Sequence, residues 1–600
     1  MNGHGGELNP QSLERWILQS NDPSQPTAQM QAIIMLRDWS LSSPREVVIA
    51  SMFQVLDQSS EETAQFYSLG TLGRMPLDET ERASFRQYLL YRYPPASSTF
   101  LRNKVAWILA RFLWEDVPMR WTTLEHDLIH HLSVSQPALF CKILETAMEE
   151  FSAVVIREDP NNVDYDEEQT LTTNSSFYST KHDMRRVKDY FKDYINEYGE
   201  ATGKQPNDLA TNTLAHRLFD RVVKVLEESI VLLRNGNDAN RQAIETVALA
   251  LKSMRQFLMW IDLFPADTQG EGAAQSKAIE ILLYLLSVSD YPAHIHVLTF
   301  QVLKEWNSGA QSTHATSQVS DHELHVYSAV FEQIHKANLL PYNVESSAPI
   351  EVVIEVAKFV DSAGQHLLNM FVIQSANATS EIQVNADKIK SALFQALDLF
   401  FRAFSYDDID VSAAVFPLSG NLISEMEKQA SLRMHLPQLL NVLYSQMKYP
   451  ADFSYDYEDE LVAEEMTYRA DLAKLFGKMV RIDSNICLQF VVETAQRMEG
   501  ISKAPTQDVE VFLRLLYHFC EGLRPSPGLK VVMKNQVFCS LLTALHNSDI
   551  ADHPHREVLC LYYETSVRYH PIFMTNSGNA KVTNTPLLSR VLEAMVRLRS

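Results

Sequence analysis

Residues 100–113 read Phe100-Leu101-Arg102-Asn103-Lys104-Val105-Ala106-Trp107-Ile108-Leu109-Ala110-Arg111-Phe112-Leu113. Leu101, Val105, Ile108, Leu109, Phe112 and Leu113 recur at helical spacing, with Arg102, Lys104 and Arg111 between them, so this stretch predicts an amphipathic helix. Ile244, Val247, Ala248, Leu251, Met254 and Leu258 repeat the pattern, as do Phe512, Leu516, Phe519 and Leu523. Strict period-two alternation never persists long enough to predict a sheet.

The punctuation agrees. Ser43-Pro44-Arg45-Glu46 combines a cap residue, a proline at the first helical position and a capping-box glutamate, and Ser59-Ser60-Glu61-Glu62 offers a second box. Tyr93-Pro94-Pro95 and Pro525-Ser526-Pro527-Gly528 are stops. Polar insertions at about 158–180, 266–277, 308–321 and 500–508 read as loops between helices or local disorder. Helix pairs recur at loosely 40–50 residues, the HEAT/armadillo period, and no composition shift marks a domain boundary. The fold class expected is all-α, an α-solenoid of HEAT-type helical hairpins in about 12–14 repeats.

At 600 residues and 46% hydrophobic, the chain exceeds a single compact domain, and its 18 glycines favour helices over sandwiches or barrels. The net charge of -23 argues against general coating of nucleic acid, which needs clustered Lys and Arg, and suits a basic partner. The five cysteines show no CxxC pair, which points to a reducing compartment; Cys520, Cys539 and Cys560 sit among apolar neighbours, as buried free thiols do. The first 25 residues have no signal-peptide pattern, and no apolar run is long enough to cross a bilayer, so a soluble intracellular protein is expected.

No catalytic signature appears: GxSxG, GxxxxGK[ST], HExxH and GxGxxG are all absent, and no enzyme is expected. His294/His296 and His553/His555 have no partners at ligand spacing and read as surface or helix-end residues rather than a zinc site. Asp159–Glu168 fails as a calcium loop, because Val163 and Asp164 stand where a ligand and the glycine belong. The acidic runs 158–168 and 452–465 read either as solvated segments or as a docking surface for a basic partner. Lys181, Arg185, Arg186, Lys188 and Lys192 form a basic stretch balanced by Asp183, Asp189 and Asp193.

Several segments resemble the exportin-T branch of the importin-β superfamily. Phe100–Lys104, running through Ala106 and Ala110 to Arg120-Trp121-Thr122, resembles the helix that follows that family's RNK signature. Lys181-His182-Asp183-Met184-Arg185 resembles KDxMR, and Trp260-Ile261-Asp262-Leu263 resembles WIDL at a helix end. Tyr449 through Tyr468-Arg469 resembles a tyrosine-and-acid segment leading into a YRxxL helix, which here continues to Leu472 and Leu475. Asp508-Val509-Glu510-Val511 with Arg514-Leu515-Leu516-Tyr517 resembles EVExxxRLLY, and Glu564–Tyr569 resembles ETVVRY. The islands stand in the family's order over roughly residues 60–575.

The resemblance implies a nuclear export receptor that binds tRNA cooperatively with the GTP form of Ran and shuttles between nucleus and cytoplasm, meeting nucleoporins at the pore. It implies no cofactor of its own, GTP entering only through Ran. The implied organisation is a flexible tail at 1–25, N-terminal Ran-binding HEAT repeats at 26–95, exportin- or importin-β-like repeats at 96–265, and further repeats at 266–600. Family members are longer, so additional C-terminal repeats are expected beyond this chain. Gln65, Phe66, Arg82 and Arg86 are the Ran-contact candidates; Arg102, Lys104, Lys181, Arg185 and Arg186 are the tRNA-contact candidates, since RNA would be read through shape and phosphates. A different HEAT transport receptor with protein or structured-RNA cargo, or a HEAT scaffold outside transport, would share the fold.

Overall fold

The computed structural model describes residues 10–93, 98–157, 186–187, 190–191, 213–234, 240–259, 273–313, 321–341, 348–376, 380–449, 453, 460–498, 500, 504–523, 529, 532–577, 580–583 and 585–597. These fall into two compact units: Met1–Leu285 with His294–Thr313, and Leu286–Ala293 with His314–Ser600. Both are built of helices.

In the first unit, α1 (Pro10–Ser20), α2 (Pro26–Ser42), α3 (Arg45–Gln58), α4 (Glu62–Arg74) and α5 (Glu79–Gln87, prolonged by a π turn to Arg92) precede α6 (Thr99–Asp116). They are followed by a π segment (His126–Leu132), α7 (Pro137–Arg157), α8 (Leu214–Arg234), α9 (Asn240–Leu258), α10 (Ala273–Ser287) and α11 (Ala293–Thr313). Helices α4, α6, α7 and α9 pack in series, with α3 against α4, α5 against α6 and α8 against α9. The stripe of α6 is buried throughout, and so are Ala106, Ala110 and Trp114, because this helix is flanked on both sides. Ser98 caps it by accepting from the amide of Leu101.

The second unit holds α12 (Asp321–Lys336), α13 (Ile350–Ala376), α14 (Ser380–Phe404), α15 (Phe416–Lys428), α16 (Leu436–Gln446) and α17 (Glu460–Ile482). It continues with α18 (Ser484–Arg497), α19 (Thr506–Gly522), α20 (Gln536–Asn547), α21 (Arg556–Arg568) and α22 (Thr585–Arg597). Its packing is a ladder of two columns. Helices α13, α15, α17, α19 and α21 touch in succession, and α12, α14, α16, α18, α20 and α22 do the same alongside. Helices α15, α17, α19 and α21 begin at residues 416, 460, 506 and 556, so the period read from the sequence holds. Stacked helix pairs in which each element meets only its neighbours are the α-solenoid arrangement that was expected.

Close approach within the first column depends on missing side chains. A Cβ at Gly364 of α13 would stand 2.4 Å from Leu418 Cδ2 of α15. One at Gly522 of α19 would stand 2.6 Å from Val480 Cβ and 2.7 Å from the Gly477 carbonyl, both on α17.

Several expectations are corrected. Residues 10–20, expected in a flexible tail, form α1, with Leu13 and Ile17 fully buried. Helix α3 begins after Pro44 with no side-chain cap, and α4 begins after Glu61, also uncapped. The capping box that does form is Asp78 with Glu81, opening α5. Among the cysteines, Cys141 and Cys487 are the buried pair, Cys520 and Cys539 are half-buried, and Cys560 is exposed. His296 and His553 are buried rather than superficial. A short antiparallel hairpin, Met574–Ser577 with Ala580–Thr583, interrupts the helices; four-residue strands leave too little alternation to read. Among the described residues no helix is long and apolar enough to cross a membrane.

The Gly522→Ala variant forces α19 off α17, and an overpacked contact of this kind costs about 1–3 kcal/mol, read as a lower urea midpoint. A second prediction concerns pH. Burial pushes His546, whose Nδ1 lies 3.1 Å from the Tyr562 hydroxyl oxygen, down to about 4 from 6.5. The unfolded imidazole therefore takes up a proton that the folded one refuses. Stability falls as pH drops from about 6.5 toward 4, by at most about 1.4 kcal/mol per pH unit, and the His546→Phe variant flattens that slope in urea titrations.

Candidate functional site

Helix α5 places Arg82 and Arg86 one turn apart, facing the C-terminal end of α6. Arg82 Nε lies 3.2 Å from Asp116 Oδ1, and its Nη1 donates to the Leu77 carbonyl at 3.3 Å. Arg86 Nη1 lies 2.5 Å from Asp116 Oδ2, its Nη2 donates to the Arg120 carbonyl, and its guanidinium sits 4.8 Å over the Trp121 ring. Asp116 is 2% exposed. Burial pushes its carboxyl upward, opposed by Arg82 and Arg86, and burial likewise lowers Arg86. Two cations on one buried carboxylate lock α5 to α6, because a lone charge there would be strongly penalised.

The other candidates separate into distinct environments. Gln65 donates to the Ser59 carbonyl at 2.7 Å and accepts from the Tyr93 hydroxyl at 2.7 Å. Phe66, the next residue on α4, stacks on the exposed Phe100 ring at 3.9 Å. Lys104 Nζ lies 5.3 Å from the Phe66 ring and 4.6 Å from the Trp107 ring, and burial lowers its pKa with help from Arg74. Phe66, Phe100 and Lys104 thus make one aromatic and cationic patch. Arg102 is buried instead, pairing with Glu245 of α9 and donating to the Thr99 hydroxyl. Arg186 donates to the Trp114 carbonyl at 3.2 Å and shares a cleft with Arg82. Lys181 and Arg185 lie outside the described residues, as do the 158–168 acidic run and Trp260–Leu263.

A second surface escaped the sequence reading. Helix α2 buries Ala32, Leu36 and Trp39, yet Met30, Ile33, Ile34 and Leu41 are exposed, Leu41 at 78%. The helix is apolar on two faces, and among the described residues nothing covers one of them. Isolated exposed apolar residues need no explanation, but a contiguous face along one helix marks a docking surface. The signal was legible: Met30, Ile33, Ile34 and Leu41 keep helical spacing out of register with the buried set.

In the second unit the sequence islands meet. Arg469 of α17 pairs with Glu510 of α19, both 1% exposed, and donates to the Met447 carbonyl at 2.7 Å. Its guanidinium stacks 3.5 Å from the Tyr449 ring centre. Arg514 closes the other Glu510 oxygen with bonds of 3.0 and 2.7 Å. Tyr468 donates to Ser412 at 2.8 Å, and the Tyr569 hydroxyl of the last island donates to the Leu516 carbonyl at 2.7 Å. These residues bind neighbouring repeats to one another. Among the described residues no cluster of His, Cys, Asp and Glu could hold a metal ion.

Helix pairs stacked in two columns place the chain among HEAT-type α-solenoid proteins. Within that class it is similar to exportin-T: residues 382–600 match the Exportin-T family model. Human exportin-T is 20% identical over 529 residues, covering 87% of this chain and 48% of that protein. The zebrafish (Danio rerio) protein is 20% identical over 338 residues, 55% and 33% respectively. Exportin-T of Podospora anserina is 25% identical over 259 residues, covering 40% and 24%. The chain therefore spans less than half the length of these curated relatives. A solved structure of Kap95p with RanGDP aligns with 98% of this chain and 87% of its own at 12% identity and a TM-score of 0.23, too loose a superposition to place one residue on another.

The Arg86→Met variant leaves Asp116 with half its compensation and costs about 3 kcal/mol in urea unfolding. Lys104→Ala, which loses only ring contacts, costs under about 1 kcal/mol in the same measurement.

Proposed function

We propose that this chain acts in nuclear export, binding mature tRNA cooperatively with the GTP-bound form of Ran and releasing both in the cytoplasm after GTP hydrolysis. The similarity to exportin-T, running along 87% of the chain in the human comparison, is the observation that carries this reading. The fold suits the task. A stack whose elements touch only their neighbours changes curvature at small cost, so a first ligand that orders the stack lowers the ordering cost for the second.

In this reading Ran docks on the N-terminal helices. Gln65 and Phe66 with the apolar face of α2 supply contact area, Arg82 supplies charge, and Arg86 keeps α5 in place on α6. The tRNA backbone meets Lys104, Lys181, Arg185 and Arg186, while Arg102 holds α6 against α9 and so sets the spacing of those cations. A few such cations on an acidic body make binding strongly salt-dependent and keep other RNA off. The chain performs no reaction and carries no cofactor; the only nucleotide chemistry belongs to Ran. Passage between nucleus and cytoplasm brings the receptor against nucleoporins. The net charge of -23 favours one rival, a transport receptor of the same fold with a basic protein cargo.

The purified chain, GTP-locked Ran and tRNA are expected to co-elute from a sizing column. Ran should tighten tRNA binding about 5–150-fold, and tRNA should tighten Ran binding by the same factor. Ile33→Ser with Leu41→Ser weakens Ran binding at unchanged thermal stability. Co-elution of Ran with basic nuclear proteins that excess tRNA fails to displace would favour the rival, and failure of every combination to shift the chain would dismiss both.

A further inference from the structure

Helix α2 packs on α1, and α1 packs in turn on α3 and α4, so among the described residues the stack covers α2 from one side. At 3.6 residues per turn, Ala32, Leu36 and Trp39 mark the covered side, and Met30, Ile34 and Leu41 fall opposite them. Ile33 widens that outer stripe, and the four residues are 43–78% exposed. The outermost helix of a repeat stack needs a polar outer face to stay dissolved, and this outer face is apolar. We propose that a second copy of this chain covers it, α2 against α2 about a two-fold axis, and that docking of Ran separates the pair. The second half of the proposal rests on the nuclear-export reading, which places Ran on the same face.

Charge selects the occupant. Arg37 and Asp38 are the only charged residues of α2. They are neighbours in sequence, yet the helical turn puts them on opposite flanks of the stripe, with Arg37 on the side of Ile33. They pair with each other at 3.0 Å and remain well exposed, so both can reach a second helix. When two such helices lie side by side and parallel about a two-fold, each flank meets the opposite flank of the other copy. Arg37 of one copy then stands within one residue's rise, about 1.5 Å along the axis, of Asp38 of the other, and two ion pairs close the contact. An antiparallel pair would instead set like flanks together, Arg37 beside Arg37. The face is therefore neutral and self-complementary on a body of net charge -23.

A helix of 17 residues is about 25 Å long, so one laid on another buries less than the roughly 1,200 Å² at which stable interfaces begin. The pair is accordingly weak, with a dissociation constant on the order of tens of micromolar, and a partner that binds the same face displaces it. Two acidic bodies also repel one another, so salt tightens the dimer, the opposite of its effect on RNA binding.

Sedimentation velocity of the full chain across the micromolar range tests the pairing. A monomer–dimer equilibrium that tightens several-fold with added salt is expected. Ile34→Asp should weaken it about tenfold or more at an unchanged thermal midpoint, whereas Val567→Ser, at an exposed apolar residue of the other unit, should associate as the parent does. Arg37→Asp and Asp38→Arg should each abolish self-association, since like charges then meet, and an equimolar mixture of the two should restore it, since both cross pairs are again opposite. Ran held in its GTP form should leave one chain per Ran. A parent chain that stays monomeric throughout, or a mixture that stays monomeric while the parent dimerises, would overturn the pairing, and Ran binding to that monomer would leave the nuclear-export reading intact. Two chains held together with Ran would overturn the shared face. A dimer that forms while Ran fails to bind keeps the second copy on α2 and dismisses the nuclear-export reading instead.

Discussion

A helix with apolar residues around most of its circumference has to be covered on more than one side, and that requirement organises this protein. Helix α6 buries Leu101, Val105, Ile108, Leu109, Phe112 and Leu113 together with Ala106, Ala110 and Trp114, which no single partner could cover. It is flanked by α4 and α7, each of which then needs a further neighbour. The apolar requirement is passed along the chain, and the stack is its solution. In the second unit the same requirement produces two parallel columns, with glycines at 364 and 522 where adjacent helices approach most closely.

Cohesion between repeats is supplemented by charge. Arg469 and Glu510 are buried on adjacent helices and bound to Arg514, Tyr449 and the Met447 carbonyl, so both charges of the pair are compensated. Arg86, Arg82 and Asp116 do the same between α5 and α6. Such pairs add little net stability over an apolar contact, yet they penalise any slip that leaves one charge alone. They fix which face of one repeat meets which face of the next, and thus the positions of the surfaces on which Lys104, Arg120 and the α2 face are displayed.

The architecture was largely legible in the sequence because it rests on one repeated signal, apolar residues three and four apart. Its exceptions are local. The cap of α5 lies at Asp78 because its side chain and that of Glu81 satisfy each other, whereas Ser43 and Ser59 stand one to two residues too early to serve α3 and α4. Arg102 read as a surface cation, but its partner Glu245 is 143 residues away, and no spacing rule reaches across such a separation. Cys560 read as buried because its neighbours are apolar, yet it lies on the outward side of α21. Of the surfaces, the α2 face was present as a pattern, while the cleft that Arg82 and Arg186 share was not. Its four guanidinium groups come from α5, α6, the turn after α6 and the segment around residue 186, and only folding brings them together.

Hydrogen exchange followed by mass spectrometry on a Glu510→Gln variant tests the nearest-neighbour stack most directly. Loosening of that one ion pair should raise exchange in Glu460–Ile482, Thr506–Gly522 and Arg556–Arg568, and leave Ile350–Ala376 as protected as in the parent protein. A uniform loss of protection across the second unit would contradict the account, since it would mean that these helices share one undivided core.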